Sequence, residues 1–141
     1  MTDKIALFIG PSSPNNSAKA DNIIVFDPIK SGDIYKIMTH GFTKIGIVDG
    51  VFHGVPSIWH REIHYAITHG IEVYGSSSMG ALRAAEMDKL GLMGVGQVYD
   101  WYNSGSIVGD DEVALSHFPE YPFKATTIPL VDIRNILINH L

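Results

Sequence analysis

Cysteine is absent from this 141-residue sequence. The chain itself therefore forms no disulfide, no thiolate metal site and no relay in which it carries a persulfide. Basic side chains are scarce as well. Ten Lys and Arg stand against fifteen Asp and Glu, giving a formal net charge of −5, and no basic run occurs. That balance argues against a nucleic-acid partner or an anionic-membrane surface. No apolar stretch approaches the roughly 20 residues a membrane span needs. The N-terminus lacks the basic, apolar and small-residue layout of a signal peptide, so the cytoplasm is the expected compartment. Internal repeats and low-complexity linkers are missing too. What is present, 45% hydrophobic and 18% charged residues, is ordinary for one globular domain with a real core.

Apolar β-type runs alternate with helical stretches. Strands are expected over 5–9, 23–26, 44–48 and 71–74, short and nearly continuous in apolar character, as suits a parallel sheet buried on both faces. Helical spacing covers 33–40 and 57–69, the second with Trp59, Ile63, Ala66 and Ile67 on one stripe. Further helices are expected over 81–90, 95–102 and 131–139, with a short one beginning at Asp110. Residues 11–20 form a polar, turn-rich loop. The order predicts a single α/β domain over residues 1–141. It should hold a short, mostly parallel central sheet flanked by helices, with a helical C-terminal region.

The most informative stretch is Tyr74-Gly-Ser-Ser-Ser-Met-Gly-Ala-Leu-Arg-Ala-Ala-Glu86, where three serines join an apolar run to an Ala-rich helical segment. Read as small-x-Ser-x-Gly it is a relaxed nucleophile elbow, in which small residues let strand and helix pack closely around an exposed hydroxyl. The pattern selects Ser78, and a one-residue shift of the turn presents Ser77 instead. N–H groups near Met79 and Gly80 are then placed to hold an oxyanion. The same turn also suits anion binding or plain helix capping.

Other groups compete for attention. Asp49 and Gly50 end the third strand, and in open parallel sheets sites form beyond the carboxyl ends of strands. His60 and His64 share a helix face, but Glu62 is wrongly placed for a zinc protease motif, and His60 reads better as a polar residue able to line a site. Arg61 and Glu62 read as a solvated helix face. Arg83 and Glu86 are spaced to pair. Asp110, Asp111 and Glu112 cap a helix start, dock a basic partner or hold a divalent metal.

These residues resemble the TfuA-like core family. The resemblance is carried by Ile45-Gly-Ile-Val-Asp-Gly-Val-Phe52, by Ser57-Ile-Trp-His-Arg-Glu-Ile63, and above all by Ser78-Met-Gly-Ala-Leu-Arg-Ala-Ala-Glu86. Gly10-Pro-Ser12, Pro28-Ile-Lys-Ser-Gly-Asp33, Gly94-Val-Gly96, Gly109-Asp-Asp-Glu-Val-Ala-Leu115 and Leu130-Val-Asp-Ile-Arg134 fit the same pattern. The resemblance implies an accessory protein for YcaO enzymes, which install thioamides in peptide backbones. It would hydrolyse the C-terminal thiocarboxylate of a ThiS-like sulfur carrier, releasing sulfide to YcaO, and would help YcaO engage its substrate peptide. A Ser–Lys pair would do the chemistry, with no cofactor and no metal. Lys30 is the lysine best placed by motif and His60 the fallback. Arg61 stands where the family pattern leads one to expect lysine, and a guanidinium cannot act as a base. Two alternatives stay open. One is a non-catalytic adaptor that only docks carrier and YcaO; the other is a metal-dependent hydrolase built on Asp49, His60 and the acidic cluster at 110–112.

Overall fold

In the computed structural model, which describes residues 3–13, 20–52 and 54–140, five short apolar runs pair into one sheet. They are β1 (Ile5–Phe8), β2 (Ile23–Phe26), β3 (Lys44–Ile47), β4 (Glu72–Ser76) and β5 (Met93–Val95). Every pairing is parallel, and the order across the sheet is β2-β1-β3-β4-β5, the order of flavodoxin-like sheets. Helices α1 (Asp33–Ile37), α2 (His60–Thr68), α3 (Met79–Glu86), α4 (Gln97–Ser104) and α5 (Leu130–His140) complete the framework. The expected α/β class holds. Residues 14–19 of the expected 11–20 loop lie outside the described residues.

The sheet is buried on one face rather than two. Ala6, Phe8, Ile45, Ile47, Val73 and Gly75 are all buried and share that face through the strand register. Ile34 and Ile37 of α1, Ile63 and Ala66 of α2, and Met79 and Ala84 of α3 join them in one core cluster. The opposite face, with Ile5, Leu7, Gly46 and Tyr74, is partly exposed and packs on neither core cluster. Chirality explains the asymmetry. The steps β2→β3, β3→β4 and β4→β5 all move the same way along the sheet, so right-handed crossovers put α1, α2 and α3 on the same side. Only β1→β2 moves the other way, and no helix is described in that connection.

A further expectation is corrected. Residues 93–95 form β5, and α4 starts at Gln97 instead of 95, because a three-residue strand centred on Gly94 carries too little pattern to announce itself. Pairing of Met93–Val95 with Tyr74–Ser76 stabilises it. The region after α4 holds the expected short helical turn at Asp110 and the expected C-terminal helix, with a hairpin between them that was not foreseen. A 3-10 turn at Asp110–Glu112 leads into an irregular hairpin with one antiparallel bridge, His117 to Ala125, before α5. This region supplies Ile107, Val113 and Val131 to a second cluster with Ala81 and Leu82 of α3 and Tyr102 of α4. α3 is therefore covered on two sides, which is why it is built from Ala, Leu and Gly.

Glu62 belongs to the interior, not to a solvated face. It is 2% exposed, and its carboxylate accepts hydrogen bonds from the N–H groups of Gly32 and Ile34, both at 2.9 Å. Gly32 before α1 has no capping side chain, so a carboxylate from α2 satisfies the orphan donors and complements the helix dipole. Ile63 and Ala66 follow the expected stripe, whereas Trp59 at its start is 60% exposed. No helix among the described residues is long and apolar enough to cross a membrane.

Candidate active site

β4 turns into α3 across Ser77 and Ser78 with almost no room to spare. A Cβ on Gly75 would fall on the Gly80 carbonyl oxygen, and a Cβ on Gly80 would fall on the Ile47 carbonyl oxygen. Glycine at both positions lets the helix start rest directly on β3 and β4, as a nucleophile elbow requires. The strained residue of the turn is Ser77, with φ of +65°. A non-glycine residue in that region costs on the order of 1–3 kcal/mol and is kept where surrounding structure dictates it, commonly at functional sites.

The three hydroxyls have different environments. Ser76 Oγ donates to the Val95 carbonyl at 2.7 Å, stitching β4 to β5. Ser78, 8% exposed, donates to the Val113 carbonyl at 3.3 Å. Ser77 Oγ is partly exposed and makes no hydrogen bond among the described residues. The N–H of Gly80 donates to the Val48 carbonyl at 3.1 Å, so it is already committed. The N–H groups of Ser78 and Met79 have no acceptor among the described residues. They are the donors left over beside Ser77.

Ser77 and Ser78 line a cavity of about 310 Å³, whose other polar groups come from Ser12, Thr127 and Asp132. Val113, Leu115 and Val131 form part of its apolar wall. Ser12 was not singled out as a site residue from the sequence, although Gly10-Pro11-Ser12 at the carboxyl end of β1 was the available signal. Asp49 places it. This carboxylate is 2% exposed and accepts hydrogen bonds from the Gly10 N–H at 2.8 Å, the Ser12 N–H at 3.0 Å and the Ser12 hydroxyl at 2.7 Å. Asp49 stands between the carboxyl ends of β1 and β3, where the strand order reverses and ligands of such sheets collect. Gly50 matters for space, since a Cβ there would lie 2.6 Å from Met79 Cγ.

The candidate bases lie elsewhere. Lys30 Nζ sits 3.2 Å from Asp33 Oδ1 and edges a larger cavity of about 500 Å³, which shares Leu115 with the serine cavity. His60, Arg61 and Arg83 line a third cavity. There His60 Nε2 pairs with Glu86, which Arg83 also holds at 3.0 Å as the spacing predicts. Arg83 Nε donates to the Ile58 carbonyl at 3.2 Å, bracing α3 against the segment before α2. Among the described residues, no Lys, His or Arg lines the serine cavity.

The acidic cluster divides. Asp110 and Asp111 are exposed, while Glu112 is 7% exposed and receives two hydrogen bonds of 2.8 Å from the Arg134 guanidinium. That fork fastens α5 to the 3-10 turn. Beside it, burial first and the Glu112 charge second push the Tyr102 phenol well above its ordinary range, while its hydroxyl donates to the Gly109 carbonyl at 2.7 Å. Among the described residues, no group of three His, Cys, Asp or Glu side chains is placed to hold a metal ion. Asp49, His60 and the 110–112 turn are separate features.

A family model described as TfuA-like protein matches residues 49–141. That span takes in Asp49, the serine turn, the hairpin and α5. No curated protein matches the chain.

Proposed function

The chain belongs to the TfuA-like family, and from that premise we propose that it releases sulfide from a thiocarboxylated, ThiS-like carrier protein through Ser77. The family is associated with YcaO-dependent thioamidation, and the sulfide would supply the YcaO enzyme that modifies the peptide backbone. The observation that carries the assignment is Ser77 itself. It is the strained residue of a tight strand–helix turn, its hydroxyl is unpaired among the described residues, and it faces a cavity beside two spare N–H donors.

The chemistry is acyl transfer with sulfur as the leaving group. Ser77 Oγ attacks the carbonyl carbon of the thiocarboxylate and gives up its proton. The tetrahedral intermediate places its oxyanion against the Ser78 and Met79 N–H groups, donors that lie in fixed positions before the charge develops. The C–S bond then breaks, hydrosulfide leaves, and an ester links Ser77 to the carrier. Water hydrolyses that ester, freeing the carrier's carboxylate and restoring the serine. We assign the proton transfer to Lys30, which would leave Asp33 and swing across the shared Leu115 boundary as a neutral amine when the carrier docks, take the serine proton and pass it to the departing sulfur; catalytic hydrogen bonds often form only in the loaded enzyme. Asp49 would hold Ser12 as a wall of the same cavity. Exposed Asp110 and Asp111 are assigned to docking of YcaO.

One observation favours a second reading, the non-catalytic adaptor. The N–H groups of Ser78 and Met79, which have no acceptor among the described residues, would equally suit a site that only binds a carboxylate tail. Mixing the protein with thiocarboxylated carrier separates the two. Release of free sulfide that Ser77→Ala abolishes and Ser78→Ala largely preserves supports hydrolysis. Tight binding with no turnover supports the adaptor.

A further inference from the structure

The hairpin that follows Leu115 has one paired edge and one bare edge. On the paired edge, the Phe118 N–H donates to the Lys124 carbonyl at 2.9 Å and the Thr126 N–H donates to the Ser116 carbonyl at 2.7 Å. The Ser116 N–H also turns inward, to Thr127 Oγ1 at 2.8 Å. Backbone groups of an extended segment alternate sides. With 116 and 118 facing inward, the N–H and C=O groups of Leu115 and His117 face outward. Among the described residues neither has a backbone partner. Leu115 lines both the serine cavity and the larger cavity, and His117 lines the larger one. The bare edge thus belongs to residues that line both cavities.

We propose that the edge at Leu115 and His117 is a docking strand for an extended carboxyl-terminal protein tail, which pairs with it by β-addition and delivers its terminal acyl group to Ser77. This rests on the thiocarboxylate-hydrolase reading and names how its substrate is recognised. An unpaired strand edge supplies main-chain hydrogen bonds to any extended peptide, with alternate side chains received by pockets. Here the larger cavity offers Val51, Phe52, Val55 and Phe123 as the wall for those side chains. Main-chain recognition also accounts for a reactive end with no cation lining it among the described residues. The tail is held by its backbone, and its last carbonyl meets only N–H groups and hydroxyls. A folded carrier with a short or structured end would not fit. A flexible tail able to lie extended is the requirement.

The test uses the full chain carrying Ser77→Ala, so that turnover does not complicate binding. The probe is a synthetic peptide copying the carrier's carboxyl-terminal tail, ending in a free carboxylate and about eight residues long so as to outreach both cavities. Two further peptides carry N-methyl groups, on the odd or on the even positions counted from the end. The expected result is slowed amide exchange and shifted resonances at Leu115 and His117. One N-methylated register should bind about tenfold or more weakly, and the other like the parent. Equal binding by both registers, unchanged Leu115 and His117 amides in the bound state, or no binding of the parent peptide would each overturn the docking strand. Sulfide release is measured separately on the wild-type chain with intact carrier. Release without edge protection refutes the docking strand alone, and edge protection without release refutes the hydrolase reading alone.

Discussion

Replacing Gly80 with alanine adds one methyl group where the fold has no space for it. The new Cβ would fall on the Ile47 carbonyl oxygen, with the Gly75 Cα at 3.3 Å. Both neighbours are backbone atoms of the sheet, so no side chain can rotate away and the first turn of α3 must retreat. Overpacking of this kind costs about 1–3 kcal/mol. The retreat also weakens the bond from the Gly80 N–H to the Val48 carbonyl, worth about 0.5–1.5 kcal/mol net. Alanine's better helix propensity works the other way, by about 0.8–1.0 kcal/mol. The balance is a loss of about 2 kcal/mol, to be read from the urea midpoint at unchanged slope. Sulfide release should fall further than stability, because the retreat moves Ser78 and Met79 away from Ser77. A Gly80→Ala protein as stable as wild type, or more stable by the propensity difference, would show that close strand–helix contact does not shape this turn.

Glu62→Ala removes the carboxylate that caps α1 and strands the Gly32 and Ile34 N–H groups. It should cost about 2–4 kcal/mol, and a chemical denaturation curve overlaying wild type would contradict the assignment. Lys30→Met should lower sulfide release by about 100-fold or more if Lys30 takes the serine proton, and a rate near wild type would remove it from the mechanism. Tyr99 and Tyr102 both have phenols raised above the ordinary value, chiefly by burial. A phenol whose folded value is raised adds stability that is complete below the unfolded value of about 10 and is lost as pH climbs through the folded one. Absorbance at alkaline pH should therefore show two of the six tyrosines ionising after the rest and together with unfolding. Six tyrosines titrating in one early phase would refute this.

Much of the scaffold was legible because it rests on periodicity. The runs around Ile5, Ile23, Lys44 and Val73 are short and apolar, and each forms a strand. β5 escaped notice because Met93-Gly94-Val95 is too brief to show a pattern, and tertiary pairing with β4 decides it. The one-sided burial of the sheet is a property of strand order and crossover hand, which no local window contains. The serine turn was visible as a motif, and Gly80 has the packing role that motif assigns. The different environments of the hydroxyls were not visible, since Ser77 differs from Ser78 through a backbone angle and through Val113, 35 residues away in sequence. Glu62 looked like a surface acid because its partners, Gly32 and Ile34, lie 30 and 28 residues distant. The spacing of Arg83 and Glu86 was enough to foresee their pairing, which depends only on the helix between them.

The measurement that bears most directly on the central claim is intact-mass analysis of the protein, quenched in acid within seconds of meeting thiocarboxylated carrier. The account predicts a covalent species equal to chain plus carrier less one hydrogen sulfide, mapped to Ser77 by peptide fragmentation and absent from Ser77→Ala. Sulfide release with the ester on a different residue, or undiminished in Ser77→Ala, would contradict it.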